Sequence, residues 1–206
     1  MRRLLLLVLI ALLATLFAGS AFAAPGVYVA GRAGAATLKS LQMETTTVDF
    51  DPGFFTAGVL GFGLEEGRLE VEVAYRQNTI EQIVLEKGNT FDPGGDFSTL
   101  SFMLNSIADY NSGTIFKPYI LVGAGAASIA FNEDLSLGLG LKDSEDLFFV
   151  YQAGAGVGYP VTKRLTLDLE YRYFAALDPK FETTAGSELK FDYAVHNASF
   201  GVRYEF

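Results

Sequence analysis

From Leu165 onward, apolar and polar side chains take turns along the chain. Leu165, Leu167, Leu169, Tyr171 and Tyr173 fall on one parity; Thr166, Asp168, Glu170 and Arg172 fall on the other. A period of two sends successive side chains to opposite faces of an extended chain, so the stretch predicts a strand with one greasy and one charged face. The same alternation sets Leu69, Val71, Val73 and Tyr75 against Arg68, Glu70, Glu72, Ala74 and Arg76. It returns where Ala198, Phe200, Val202, Tyr204 and Phe206 oppose Ser199, Gly201, Arg203 and Glu205. Residues 26–36, 54–63, 97–108, 116–128 and 147–159 have strand composition with weaker alternation, which brings the expected total to eight strands. Gly154, Gly156 and Gly158 share one parity of the 147–159 stretch, and small inner residues suit a narrow, tightly curved sheet.

The connections between these stretches alternate in length. Residues 64–67, 109–115 and 160–163 are short, whereas 37–53, 77–96, 129–146 and 177–191 are long and carry the turn signals Asp51-Pro52-Gly53 and Asp92-Pro93-Gly94. Half of the residues are apolar, yet after Phe22 no apolar run reaches the length of a spanning helix. Within hydrocarbon only helices and closed barrels satisfy every backbone polar group. An all-β, eight-stranded antiparallel up-and-down transmembrane β-barrel is therefore the expected fold, with short turns at one end and long loops at the other. A soluble β-sandwich or lipocalin-like barrel would use the same alternation, with its charges facing water and its aromatics inside.

The first residues change the picture of where the chain goes. Arg2 and Arg3 precede an apolar stretch from Leu4 to Ala18, followed by Gly19, Ser20 and Ala21-Phe22-Ala23. Positive start, apolar middle and small-residue site make a secretory signal, so residues 1–23 are expected to be removed and 24–206 to form the barrel domain of a bacterial outer-membrane protein. An N-terminal membrane anchor is the alternative. With no Cys, stability has to come from packing or from a closed hydrogen-bonded sheet. With 24 acidic residues against 15 Lys and Arg, the chain lacks the basic surface a nucleic-acid partner requires.

Candidate chemistry concentrates on the polar parity. Eight strands enclose a space that side chains fill, so Arg32, Arg76, Arg172 and Arg203 are expected to bridge Glu70, Glu72, Asp168, Glu170 and Glu205 inside the lumen. A narrow porin-like channel for small solutes is the alternative use of the same residues. Ten Tyr and 18 Phe without Trp leave aromatic girdles to residues such as Tyr159, Tyr171, Tyr173, Phe174, Tyr204 and Phe206. The run Gly123-Ala124-Gly125-Ala126-Ala127-Ser128 imitates a dinucleotide-binding loop only in part, because an acidic stretch with Glu133 and Asp134 follows where a helix is needed. No cofactor is expected. Asp143-Ser144-Glu145-Asp146 has oxygen ligands for Ca²⁺ but matches no EF-hand spacing, so it reads as a solvated acidic loop and no metal is expected.

Three stretches carry a resemblance: Phe102-Met103-Leu104-Asn105 with Lys117-Pro118-Tyr119-Ile120-Leu121-Val122-Gly123-Ala124-Gly125, then Tyr151-Gln152-Ala153-Gly154-Ala155-Gly156-Val157-Gly158-Tyr159, then Asp168-Leu169-Glu170-Tyr171-Arg172-Tyr173. They resemble the small outer-membrane β-barrel superfamily, in particular its opacity-protein-like and surface-antigen families. The resemblance implies a structural or surface-interaction protein in contact with outer-membrane lipid and lipopolysaccharide. It also implies four extracellular loops open to a host or envelope ligand, and no shared catalytic residue. Phe206, with Tyr204 before it, is similar to the C-terminal signal that the barrel-assembly machinery favours in this class. Some barrels of this size modify lipid A with a Ser, His and carboxylate set. Here His196 and Ser199 are three positions apart, which on a regular strand sends them to opposite faces, so the chain is expected not to be an enzyme.

Overall fold

The computed structural model describes residues 26–39, 41–43, 46–65, 67–85, 90–91, 96–131, 147–177, 180–182, 188–190 and 193–206. The expected signal segment 1–23, the Asp92-Pro93-Gly94 turn and the acidic residues 133–134 and 143–146 lie outside them. Eight long strands build the molecule: β1 Val27–Leu38, β2 Gly53–Gly63, β3 Gly67–Leu85, β4 Asp96–Asp109, β5 Lys117–Phe131, β6 Leu147–Pro160, β7 Leu165–Ala176 and β8 Ala194–Glu205. Each pairs antiparallel with the next in sequence. β1 then pairs with β8 from Tyr28 opposite Glu205 to Leu38 opposite Val195, which closes the sheet into a barrel. Closure leaves no strand edge along the wall, and no helix occurs among the described residues.

Alternation in the sequence becomes inside and outside in the barrel. On β7 Asp168, Glu170, Arg172 and Phe174 are buried while Leu169 and Tyr171 are exposed. Strands of 12 residues such as β7 are roughly 40 Å long at ~3.3 Å per residue. Tilted by the ~40° that a closed barrel requires, they stand about 30 Å high.

Short connections between β2 and β3, β4 and β5, and β6 and β7 close one end of the barrel, the last two at residues 110–116 and 161–164. Gly113 takes a left-handed φ of 68° in the second, where its N–H donates to Asn111 Oδ1 at 3.2 Å. The other end is more structured than alternation implied. Residues 77–96 and 37–53 were expected as loops, but β3 continues to Leu85, and Thr46–Phe50 pairs with it, shifting register between Asp49 and Phe50. Leu41–Met43 and Thr90–Phe91 extend this tongue on either side. A second hairpin pairs Lys180–Glu182 with Glu188–Lys190. Beyond Arg76 the sequence turns polar on both parities, Gln77-Asn78-Thr79, so the two-face pattern fades while the backbone ladder goes on.

Candidate functional site

The lumen is the chemically dense part of the molecule, and it has two layers. The layer nearer the tight turns is charged. Arg32 on β1 reaches across to β3, with Nη2 2.8 Å from Glu70 Oε1 and Nη1 3.1 Å from Glu72 Oε2. Arg172 on β7 approaches the same Glu72 at 2.6 Å and also pairs with Glu170, two residues before it on the lumen side of its own strand. Arg203 lies 3.2 Å from Asp168. Tyrosines complete the set: Tyr28 donates to Glu70 at 2.8 Å and Tyr119 to Glu170 at 3.0 Å.

Two glycines make room for those rings. A Cβ on Gly61 would stand 2.0 Å from the Tyr28 ring, and one on Gly156 would stand 2.4 Å from the Tyr119 ring. Each tyrosine therefore lies across a neighbouring strand where only Gly leaves space.

The layer nearer the long connections is apolar, whereas the sequence predicts ion pairs and hydrogen bonds in the lumen. Leu38, Phe55, Met103, Phe148, Val150, Phe174 and Val195 pack there with Phe50 and Tyr193. Arg76 belongs to this layer. Its guanidinium sits 4.0 Å from the Phe174 ring centroid and 4.9 Å from that of Phe55, and it donates to Asn197 Oδ1 at 3.2 Å and Ser101 Oγ at 2.9 Å. Its direct partners are thus two aromatic faces and two neutral acceptors, not the carboxylate expected of it. Glu205 also departs from the expected set: it is exposed at the tight-turn rim of β8.

Other residues do bridging work that the sequence reading did not assign. Arg68 holds Asp109 at 2.8 Å, and Gln152 donates to Asn105 at 2.7 Å. Their parity was legible; their partners on other strands were not.

The wall reverses the usual arrangement. Arg172 and Glu72 are 0% exposed, whereas Ile120, Leu104 and Leu169 are 64%, 62% and 62% exposed. Aromatic contacts on it fall into two belts. Phe116 with Tyr159, and Tyr204 with Phe206, mark the tight-turn end; Phe54 with Tyr75, and Tyr151 with Tyr173, mark the other. Phe174, expected in a girdle, is instead in the lumen because it has the parity of Arg172. His196 is exposed on the wall and Ser199 is buried in the lumen, so they cannot act as base and nucleophile in this arrangement.

Formal charge is distributed as unevenly. The lumen sets Arg32, Arg68, Arg76, Arg172 and Arg203 against Glu70, Glu72, Asp168 and Glu170, with Asp109 at its mouth, and the sequence in and beside the short connections and at the chain end sets Lys117, Lys163 and Arg164 against Glu65, Glu66 and Glu205. Residues 39–52, 80–96, 132–146 and 177–193 hold sixteen carboxylates against five lysines. The acidity of the protein therefore belongs to the long connections.

An apolar wall between two aromatic belts, around buried charge and without a free sheet edge, is the construction of a transmembrane β-barrel. The chain belongs to the outer membrane protein beta-barrel domain family, whose model matches residues 6–206, and it is an outer-membrane protein. It is 25% identical over 187 residues to the outer membrane protein PagN of Salmonella typhimurium, with 78% of each chain covered. Among solved structures it is similar in fold to Neisserial surface protein A (TM-score 0.61, 22% identity, 88% of this chain and 97% of that one). It is likewise similar to OprG of Pseudomonas aeruginosa (TM-score 0.55, 12% identity, 88% and 97%).

Proposed function

We propose that this protein is a non-conducting surface-interaction barrel: residues 1–23 direct export, 24–206 form the barrel, and the long connections face outward to meet a ligand. The filling of the lumen carries the reading. Arg76, Arg172, Glu72, Phe174, Val150 and Val195 are all at or near zero exposure, so charged and apolar layers both lie in the path of a solute. A porin-like role needs a continuous aqueous route, and two stacked layers of packed side chains oppose it. Catalysis has little support in the wall or the lumen, where the only His and the nearest Ser face apart. What is left for function is the exposed end.

The ligand is cationic, because sixteen carboxylates against five lysines repel polyanions and favour basic peptides or polyamines. Wall contacts are to membrane lipid, and Tyr204 and Phe206 are the signal read by the barrel-assembly machinery. Planar-bilayer recording of the purified protein tests the central point. It is expected to give no steady single-channel steps, and reproducible steps would sink the sealed-lumen reading.

A further inference from the structure

The outer wall is made of Val, Leu, Ile, Ala, Gly, Phe and Tyr with a few Thr, Ser, Pro and Gln. Among its described strand side chains one, His196, carries an ionisable nitrogen. It sits two residues into β8 from the long-connection end, opposite Tyr173 of β7 and Thr37 of β1. Tyr171 Oη and His196 Nδ1 are 2.5 Å apart, the two rings stack at 6.0 Å, and the Tyr173 ring meets the imidazole edge-on at 5.3 Å. In the neutral tautomer in which the Tyr171 phenol donates to Nδ1, the ring proton sits on Nε2. That N–H belongs to a side chain exposed on the apolar wall, where an unsatisfied donor is costly unless it meets a headgroup.

Lys39 supplies the second donor. Its N–H continues the ladder of β1 by donating to Ala194 O at 3.0 Å, and its exposed side chain has the parity of Thr37. It thus stands one outward step above the position opposite His196, at the height of the aromatic belt where lipid headgroups begin.

We propose that His196, Lys39, Tyr171 and Tyr173 form a docking site for the phosphate of the phosphorylated glycolipid of the outer leaflet, lipid A. His196 Nε2–H and the Lys39 ammonium donate to phosphate oxygens, and the tyrosine rings hold the imidazole in place and contact the sugar. Charge complementarity selects this occupant. The connections around the site are strongly acidic, whereas His196 and Lys39 put two donor groups on the wall itself, at the height where a headgroup anion lies. The proposal rests on the long-connection end lying in the outer leaflet, but its test does not.

The full-length protein in nanodiscs is titrated with bisphosphorylated lipid A and with dephosphorylated lipid A, and bound lipid is counted by native mass spectrometry. Wild type is expected to retain the phosphorylated form preferentially. The double variant Lys39→Ala/His196→Phe, which keeps an aromatic ring on the wall, is expected to bind it about tenfold more weakly, with dephosphorylated lipid bound equally by both. Heat-modifiable migration confirms that the variant is folded, and His196→Gln, which keeps an N–H donor, should recover part of the affinity. Equal retention by wild type and double variant overturns the proposal. So does wild-type binding that ignores the phosphates, or equal retention of phosphatidylglycerol, which would mean general attraction at the interface.

Discussion

Arg172 shows how little freedom a buried charge has in this barrel. It serves Glu72 on β3 and Glu170 on its own strand while fully excluded from solvent. Removing one partner of such a set strands the others without water. Arg172→Met should lower the unfolding free energy by about 3–5 kcal/mol, read from urea unfolding in lipid vesicles. A loss under about 1 kcal/mol would mean that the freed carboxylates regain hydration from the lumen. Gly156 tests the packing side of the same layer. Gly156→Val pushes into the Tyr119 ring, so it should cost more alone than in the Gly156→Val/Tyr119→Ala double variant, with a coupling of about 1 kcal/mol or more. Strictly additive losses would show that the ring moves aside freely. Parity made most of these residues legible: Glu70, Glu72, Asp168, Glu170 and Arg172 announce an inner face by alternating with Leu, Val and Tyr. It could not show that Arg76 lies against Phe55 and Phe174, because a partner 98 residues away (Arg76 to Phe174) is fixed by closure and stagger of the sheet, which local sequence does not encode.

At the scale of elements, strands with clean alternation were easy to bound at their inner ends and hard at their outer ones. β3 reads as a strand to Arg76 because its faces differ, then runs on to Leu85 on backbone pairing to β4 and Thr46–Phe50. Hydrogen bonding to a neighbour sustains a strand without any difference between faces, and a single-strand pattern cannot see that neighbour. The apolar layer was missed for a related reason. Phe55, Phe148, Val150 and Phe174 occupy inner parity, but neighbours of outer parity such as Phe54, Leu147, Phe149 and Ala175 are apolar too, so the alternation that marks the charged layer vanishes there. If the two layers seal the lumen independently, Phe174→Ala should destabilise the barrel by about 3–5 kcal/mol and still leave it closed to ions, because the arginine and carboxylate layer is intact. Conductance appearing in this variant alone would show that the aromatic layer is the only seal.

For the whole molecule, polarity along the barrel axis joins fold to function. Three short connections and the Val27 and Glu205 ends of the first and last strands are at one end, with balanced charge; the four long connections join strands at the other and hold an excess of carboxylates. Translocating acidic, extended segments outward and keeping short turns inside follows the general build of outer-membrane barrels, and it makes an asymmetric prediction. An epitope inserted between residues 139 and 140 should be tolerated and should bind antibody on intact cells. The same epitope between Ser112 and Gly113 should bind only after the outer membrane is permeabilised. It should also impair folding, because Ser112 Oγ donates to Phe116 O and accepts from Thr114 N–H in a turn with no slack. Surface labelling at the 112–113 insertion in intact cells, with none at 139–140, would invert the molecule and place the acidic connections in the periplasm, where they could not meet an external ligand.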